Sequence, residues 1–230
     1  MGTVLNVLTV LIGSTIGFSV QSRFSESLKN QMLQGIGLVT ILIGVQMGLK
    51  SENILYPLAA ILLGGILGHL LNIQGRLDSL AAYLGKRFSS ETDSARFMRG
   101  FVTASLIFCI GPMTILGAIN DGLSGDYQLL AVKSMLDGFT SLALAAALGA
   151  GVFFSVFTII ILQGGLTLLA GQLSTFFSVD VINETTAAGG ILIIGLGLVI
   201  LEIKPLKIAN FLPAIFLVPV IIKVVQFFTQ

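Results

Sequence analysis

Apolar residues run through this chain in blocks of membrane-crossing length, separated by short polar breaks. A spanning helix needs about 20 mostly apolar residues. That rule predicts helices over residues 2–20, 32–49, 54–71, 97–119, 129–149, 151–177, 186–202 and 209–228. Ser51 to Asn53, with Pro57 just beyond, separates the second and third. Between residues 129 and 177 the only break on offer is Gly149-Ala150-Gly151, so a tight turn is expected there. No positive charge precedes residues 2–20, which therefore read as a retained first helix and not as a cleaved signal. The expected fold is all-α and polytopic, with about eight transmembrane helices in one transmembrane domain.

A weak internal repeat relates helices 1–3 to helices 6–8. Gly2 and Thr9 align with Gly151 and Thr158; Asn30, Gly37 and Gly44 align with Asn183, Gly190 and Gly197; Ala60, Ile61 and Leu63 align with Ala214, Ile215 and Leu217. Helix 1 and helix 6 run in opposite directions through the membrane, so the repeat would be inverted, the recurring architecture of secondary transporters. The chain then divides into a first repeat (1–72), a polar segment (73–96), two central helices (97–149) and a second repeat (150–230).

Charge fixes the expected orientation. Arg23, Lys29, Arg76, Lys86, Arg87, Arg96, Arg99, Lys204 and Lys207 all fall on one side of an eight-helix arrangement, against Lys50, Lys133 and Lys223 on or near the other. Loops rich in Lys and Arg face the cytoplasm, which places both termini outside a bacterial cytoplasmic membrane. The polar segment repeats apolar residues at Leu77, Leu80, Leu84 and Phe88 and predicts an amphipathic helix on the inner surface. Its Lys86-Arg87 pair reads either as a lipid contact or as part of a solvated face.

Composition narrows the function. Hydrophobic residues make up 55% of the 230 and charged residues only 10%, where a soluble domain carries roughly 25% charged. A net charge of +1 gives no reason to expect a nucleic-acid partner. The one cysteine, Cys109, rules out an intrachain disulfide and a Cys-based zinc site. The soluble-enzyme motifs for nucleophilic, zinc, nucleotide or dinucleotide chemistry are absent. Neither an enzyme activity nor a cofactor or metal is expected. Glycines four apart at Gly13/Gly17, Gly44/Gly48 and Gly64/Gly68 predict close helix packing, within the chain or in a homodimer.

The candidate chemistry lies in the two central helices. Pro112 has no N–H, so it frees the carbonyl of Phe108, and with Gly111 it marks a break or kink. A freed carbonyl in hydrocarbon costs several kcal/mol unless something satisfies it. Lys133 and Asp137 stand four apart on one helix face, where they can pair. At ~1.5 Å per residue, Asp137 lies ~12 Å from the outer end and Pro112 ~10 Å, so the carboxylate and the break sit at similar depth. A carboxylate beside freed carbonyls suits a small cation or a proton; the other reading is that Lys133 and Asp137 simply neutralise each other. Asp121 and Asp126, in "NDGLSGD", read as solvated turn residues or as cation-attracting groups at the mouth. Asn6, Thr9, Gln46, Gln163 and Thr167 read either as groups lining a path or as bridges between helices.

The stretch "GPMTILGAINDGLSGD", followed by "KSMLDG" and "LGAGV", resembles the YdfK/YqgA-like family of bacterial inner-membrane proteins over nearly the whole chain. That family is of unknown function, at most suggested to be a sodium channel or pump. The resemblance implies that Gly111, Pro112, Asp121, Gly122, Gly125, Asp126, Lys133, Asp137 and Gly138 are family-type positions. It assigns none of them a role. The expected function is an ion channel or ion-coupled transporter for a small cation such as sodium or a proton, in contact with lipid; the competing expectation is a membrane scaffold that recruits protein or lipid.

Overall fold

In the computed structural model, which describes residues 1–88, 94–173 and 178–229, all regular structure among those residues is helical. Part of the expected inner-surface segment (89–93) and the end of the expected sixth helix (174–177) lie outside the described residues. The first elements are α1 (Gly2–Gln21), α2 (Glu26–Gly48), α3 (Leu55–Leu70) and α4 (Ile73–Phe88). The central part is α5 (Ser94–Cys109), α6 (Pro112–Ser124) and α7 (Gln128–Leu148). After a 3-10 turn at Gly149–Phe154 come α8 (Ser155–Ile159), a π-helical turn at Ile160–Gly164, α9 (Gly165–Leu168) and α10 (Ala170–Leu173). The chain closes with α11 (Val179–Ile200), a 3-10 turn at Ile208–Phe211 and α12 (Pro213–Thr229). Five helical stretches among the described residues are long and apolar enough to cross a membrane, or up to seven if each of two bent helix pairs counts as one crossing.

One of those stretches, Gln128–Leu168, is a hairpin. Its 41 residues would run ~60 Å if straight, twice the hydrocarbon thickness. Gly149 turns it back with φ +82°, a left-handed conformation that glycine adopts without a Cβ penalty. Beyond the turn, Phe153 stacks edge-on against Phe18 at 5.9 Å, and Gln163 reaches Thr3 and Asn6. The turn expected at Gly149–Gly151 is therefore present.

Small residues set the pairing. The helices α1 and α7 run parallel: Gly2 lies against Leu130, Gly13 against the Gly138 carbonyl and Ser141, and Gly17 against the Leu142 carbonyl. In contrast, α2 and α11 are antiparallel, with Gly37 against Gly197 and Gly44 against Gly190. Likewise α3 meets the last segment through Gly64 on Ala214 and Gly68 on Asn210. Lipid offers no hydrophobic drive between helices, so such backbone approach is what holds them together. All six glycines expected to form seams lie against neighbours within the chain: a Cβ would clash at five of them, while the Gly48 backbone abuts Gly190 but a Cβ on Gly48 would meet open space.

Two helix pairs are bent rather than straight. The chain turns by 54° between α3 and α4, at Asn72 with φ +48°. Past that bend, α4 packs Ala81 against Phe97 and Phe101 of α5 and leaves Lys86 and Arg87 exposed. Between α5 and α6 the bend is 60°. Here Gly111 is extended (φ 179°, ψ 148°) and Pro112 opens α6 as its first residue, a position where the missing N–H costs nothing. Gly111-Pro112 is thus a helix break.

The glycine contacts make a direct prediction. Gly44→Val forces a side chain into the Gly190 backbone and is expected to cost about 1–3 kcal/mol, whereas Gly48→Val should be nearly neutral. Thermal unfolding of the two variants in one detergent checks this.

Candidate functional site

Lys133 and Asp137 occupy successive turns of α7 and form a salt bridge with both residues buried, 5% and 8% exposed. The helix places them on one face by their spacing of four. A second helix completes the cluster: Asn6 Nδ2 of α1 donates to Asp137 Oδ2 at 2.9 Å and to Gln163 Oε1 at 2.9 Å. Gln163 sits in the π-helical turn, and its Nε2 donates to Thr3 Oγ1 at 3.3 Å. A π turn inside a helix is uncommon and occurs frequently at functional positions. Nearby, Ser141 Oγ donates to the carbonyls of Val10 and Gly138 at 3.2 and 2.8 Å, joining α7 to α1 again.

The break builds a different environment. The Thr114 hydroxyl donates to the Phe108 carbonyl at 3.2 Å, so the group that Pro112 leaves without a helical partner is satisfied within the break. Gly111 and Pro112 line a cavity of about 10 Å³ with Met47, Thr185, Thr186 and Gly189, room for about one water-sized particle. Thr185 is 4% exposed, and its hydroxyl has no hydrogen-bond partner among the described residues. Cys109, at the end of α5, lies within electrostatic reach of Lys133 and Asp137.

Asp137 and the Phe108 carbonyl share no hydrogen-bond partner among the described residues, although Cys109, next to Phe108, lies close to both Lys133 and Asp137. Asp137 faces α1 and the π turn; the break faces α11 and α2. The bridging expected of Asn6 and Gln163 is present, and it converges on Asp137 itself.

The two aspartates of the expected outer turn separate. Asp121 does not belong to a turn: it lies in α6, 7% exposed, and accepts from Gly2 N at 2.9 Å and from the Met1 ammonium at 2.9 and 3.2 Å. A carboxylate there satisfies the start of α1, whose first amides have no helical acceptor. Asp126 is exposed, and its Oδ1 accepts from Gln128 N at 3.0 Å, the local turn bond of a solvated aspartate.

Glu184, which falls just ahead of the expected seventh helix (186–202), lies in α11 at 3% exposure. It accepts from Ser51 Oγ at 2.6 Å and from the amides of Glu52 and Asn53 at 2.8 and 2.9 Å. The carboxylate closes the loop between α2 and α3. Its sequence signal was Ser178, which caps α11 through Val181 N and places the helix start ahead of Glu184.

Residues 1–223 match the DUF554 family, described as a protein of unknown function. The chain is 33% identical over 231 residues to the uncharacterized membrane protein YdfK of Bacillus subtilis (strain 168), covering 99% of this chain and 97% of that one. It is 28% identical over 220 residues to the uncharacterized protein YqgA of Escherichia coli (strain K12), covering 94% of each. No solved structure matches it.

A buried ion pair that loses one partner leaves the other charge unpaired, at about 3–5 kcal/mol. Lys133→Met and Asp137→Leu should each destabilise the protein by that order, and the double variant by less than either single. A double-mutant cycle of thermal unfolding in detergent measures the coupling.

Proposed function

We propose that this chain, which belongs to the DUF554 family, is a membrane transport protein for a small inorganic ion, working as a channel or as an ion-coupled transporter. The observation that carries the reading is the break at Gly111-Pro112, which divides a membrane-length helix pair in the region of a buried Lys133-Asp137 pair. Broken helices and intramembrane charges are costly and mark ion and substrate pathways.

The proposed architecture has eight crossings: α1, α2, α3, α5 with α6, α7, α8 with α9, α11 and α12. The reciprocal glycine contacts support an inverted repeat within it. Gly37 aligns with Gly190 and Gly44 with Gly197, while in space Gly37 meets Gly197 and Gly44 meets Gly190. Exchanging the two repeats turns each contact into the other, as a two-fold axis in the membrane plane requires. Ala60, Ala214 and Val218 in one cluster extend the relation to α3 and α12. The Lys and Arg bias supports a cytoplasmic location for α4 and an outer location for both termini.

The cation reading rests on Asp137. As a carboxylate held by Lys133 and Asn6 it binds a proton or a small cation only when Lys133 releases it, so ion and lysine compete for one group. The closed pair also favours a second reading, a non-transporting scaffold in which the Lys133-Asp137 pair holds α7 and α1 together, because no described cavity is lined by either residue.

Purified protein in liposomes, under sodium, potassium, proton and anion gradients in turn, separates the readings. Transport predicts wild-type flux under a cation gradient and at least about a tenfold loss in Asp137→Asn, whose side chain cannot carry the charge. Absence of wild-type flux under every gradient eliminates transport and leaves the scaffold.

A further inference from the structure

Two cavities lie on one stripe of α11. Thr185 and Gly189 line the small cavity at the helix break. Leu196 and Ile200 line a larger one, about 360 Å³, whose rim carries Gln74, Asp78 and Arg99 on the α4 side. The spacing Thr185, Gly189, Ile193, Leu196, Ile200 runs in steps of three and four, so all five share one helix face. The facing wall comes from α5 and α6 in the reverse order along the chain. Ala95, Arg99, Thr103 and Leu106 line the large cavity, and Gly111 and Ile115 the small one. From Ala95 to Leu106 the large cavity climbs ~16 Å along α5, about half the hydrocarbon thickness.

What separates the cavities is thin. On α11 the gap from Leu196 to Gly189 is ~10 Å, two turns of helix. Ile110 fills it from the break, its Cγ2 at 3.4 Å from where a Cβ on Gly189 would stand. Ile193 belongs to the same core cluster, and the two isoleucines are 3% and 4% exposed. Either side of this apolar layer carries hydroxyls: Thr103 in the vestibule, Thr185 and Thr186 above. A narrow apolar constriction between wetter spaces stops ions by refusing water.

We infer that the ion route runs along this seam between α5–α6 and α11, entered by the vestibule beneath Gln74, Asp78 and Arg99 and closed by a hydrophobic gate at Ile110 and Ile193. The inference rests on the transport reading and adds the route to it. Lys133 and Asp137 line neither cavity; the route reaches Asp137 where the Cys109 end of α5, next to Ile110, lies beside both charges. The glycine at position 189 gives Ile110 its seat, and the extended Gly111 is the joint about which Ile110 moves away.

The test is thiol accessibility in a Cys109→Ala background, using a membrane-impermeant thiol reagent on sealed vesicles of both orientations. Val102→Cys and Val199→Cys, half-buried in the lining of the large cavity, should react from the α4 side alone, as Asp78→Cys does at its mouth. Ile110→Cys and Ile193→Cys should react from neither side. Ile110→Ser, with one wetting hydroxyl in the gate, should raise ion flux about tenfold over wild type. The route is overturned if Asp78→Cys reacts while Val102→Cys and Val199→Cys stay protected from both sides, or if Ile110→Cys reacts as readily as Val102→Cys. Labelling as expected with no flux in any variant instead sinks the transport reading, so the two failures are distinguishable.

Discussion

Every polar group that this chain carries into lipid has to find its partner inside the protein, because hydrocarbon supplies none. That constraint explains why the helix ends and breaks are closed by side chains from distant parts of the sequence. Asp121 of α6 takes the first amide of α1, Glu184 of α11 takes the amides of the loop before α3, and Asn210 Oδ1 takes the Gln74 amide at the start of α4 at 2.8 Å. Thr114 does the same across the break by taking the Phe108 carbonyl. Each such bond ties two helices together as a by-product of satisfying the backbone. The buried carboxylates Asp121 and Glu184 are therefore part of the frame, whereas a buried hydroxyl without a partner, such as that of Thr185, points elsewhere.

Close packing is the other half of the frame. With 27 glycines in 230 residues, helices approach until backbone meets backbone, and the contacts of α1 with α7 and of α2 with α11 leave no room for a side chain at Gly13, Gly17, Gly44 or Gly190. Such contacts fix the helices as rigid pairs. The seam between α5–α6 and α11 is built otherwise, from Leu, Ile and Thr side chains with cavities between them. Side chains can change rotamer where apposed backbones cannot yield, so motion concentrates in that seam.

Much of the frame was legible in the sequence and much of the site was not. Hydropathy located the long helices but began α2 six and α11 seven residues late, because their first turns are polar; the glycine pair at 149 and 151 marked the hairpin, since that signal is local. The helix break was legible because proline acts on its own backbone. Which residues the break would face was not, since a 60° bend leaves no mark in a linear pattern. Asp121 was misplaced because Asp-Gly is a strong turn signal, overridden here by the docking of Gly122 against the Thr167 carbonyl, which continues α6 through it. Asn6 and Gln163 looked like ordinary bridging amides; that they converge on Asp137 depends on the parallel pairing of α1 with α7, a tertiary fact.

On this reading the α5–α6 break yields while the glycine-paired helices stay rigid. Amide hydrogen exchange of the protein in nanodiscs reads this directly. Peptides spanning residues 106–114 should exchange well ahead of those from α1 and from the middle of α7. Protection of the break equal to that of α1 and α7 would contradict it.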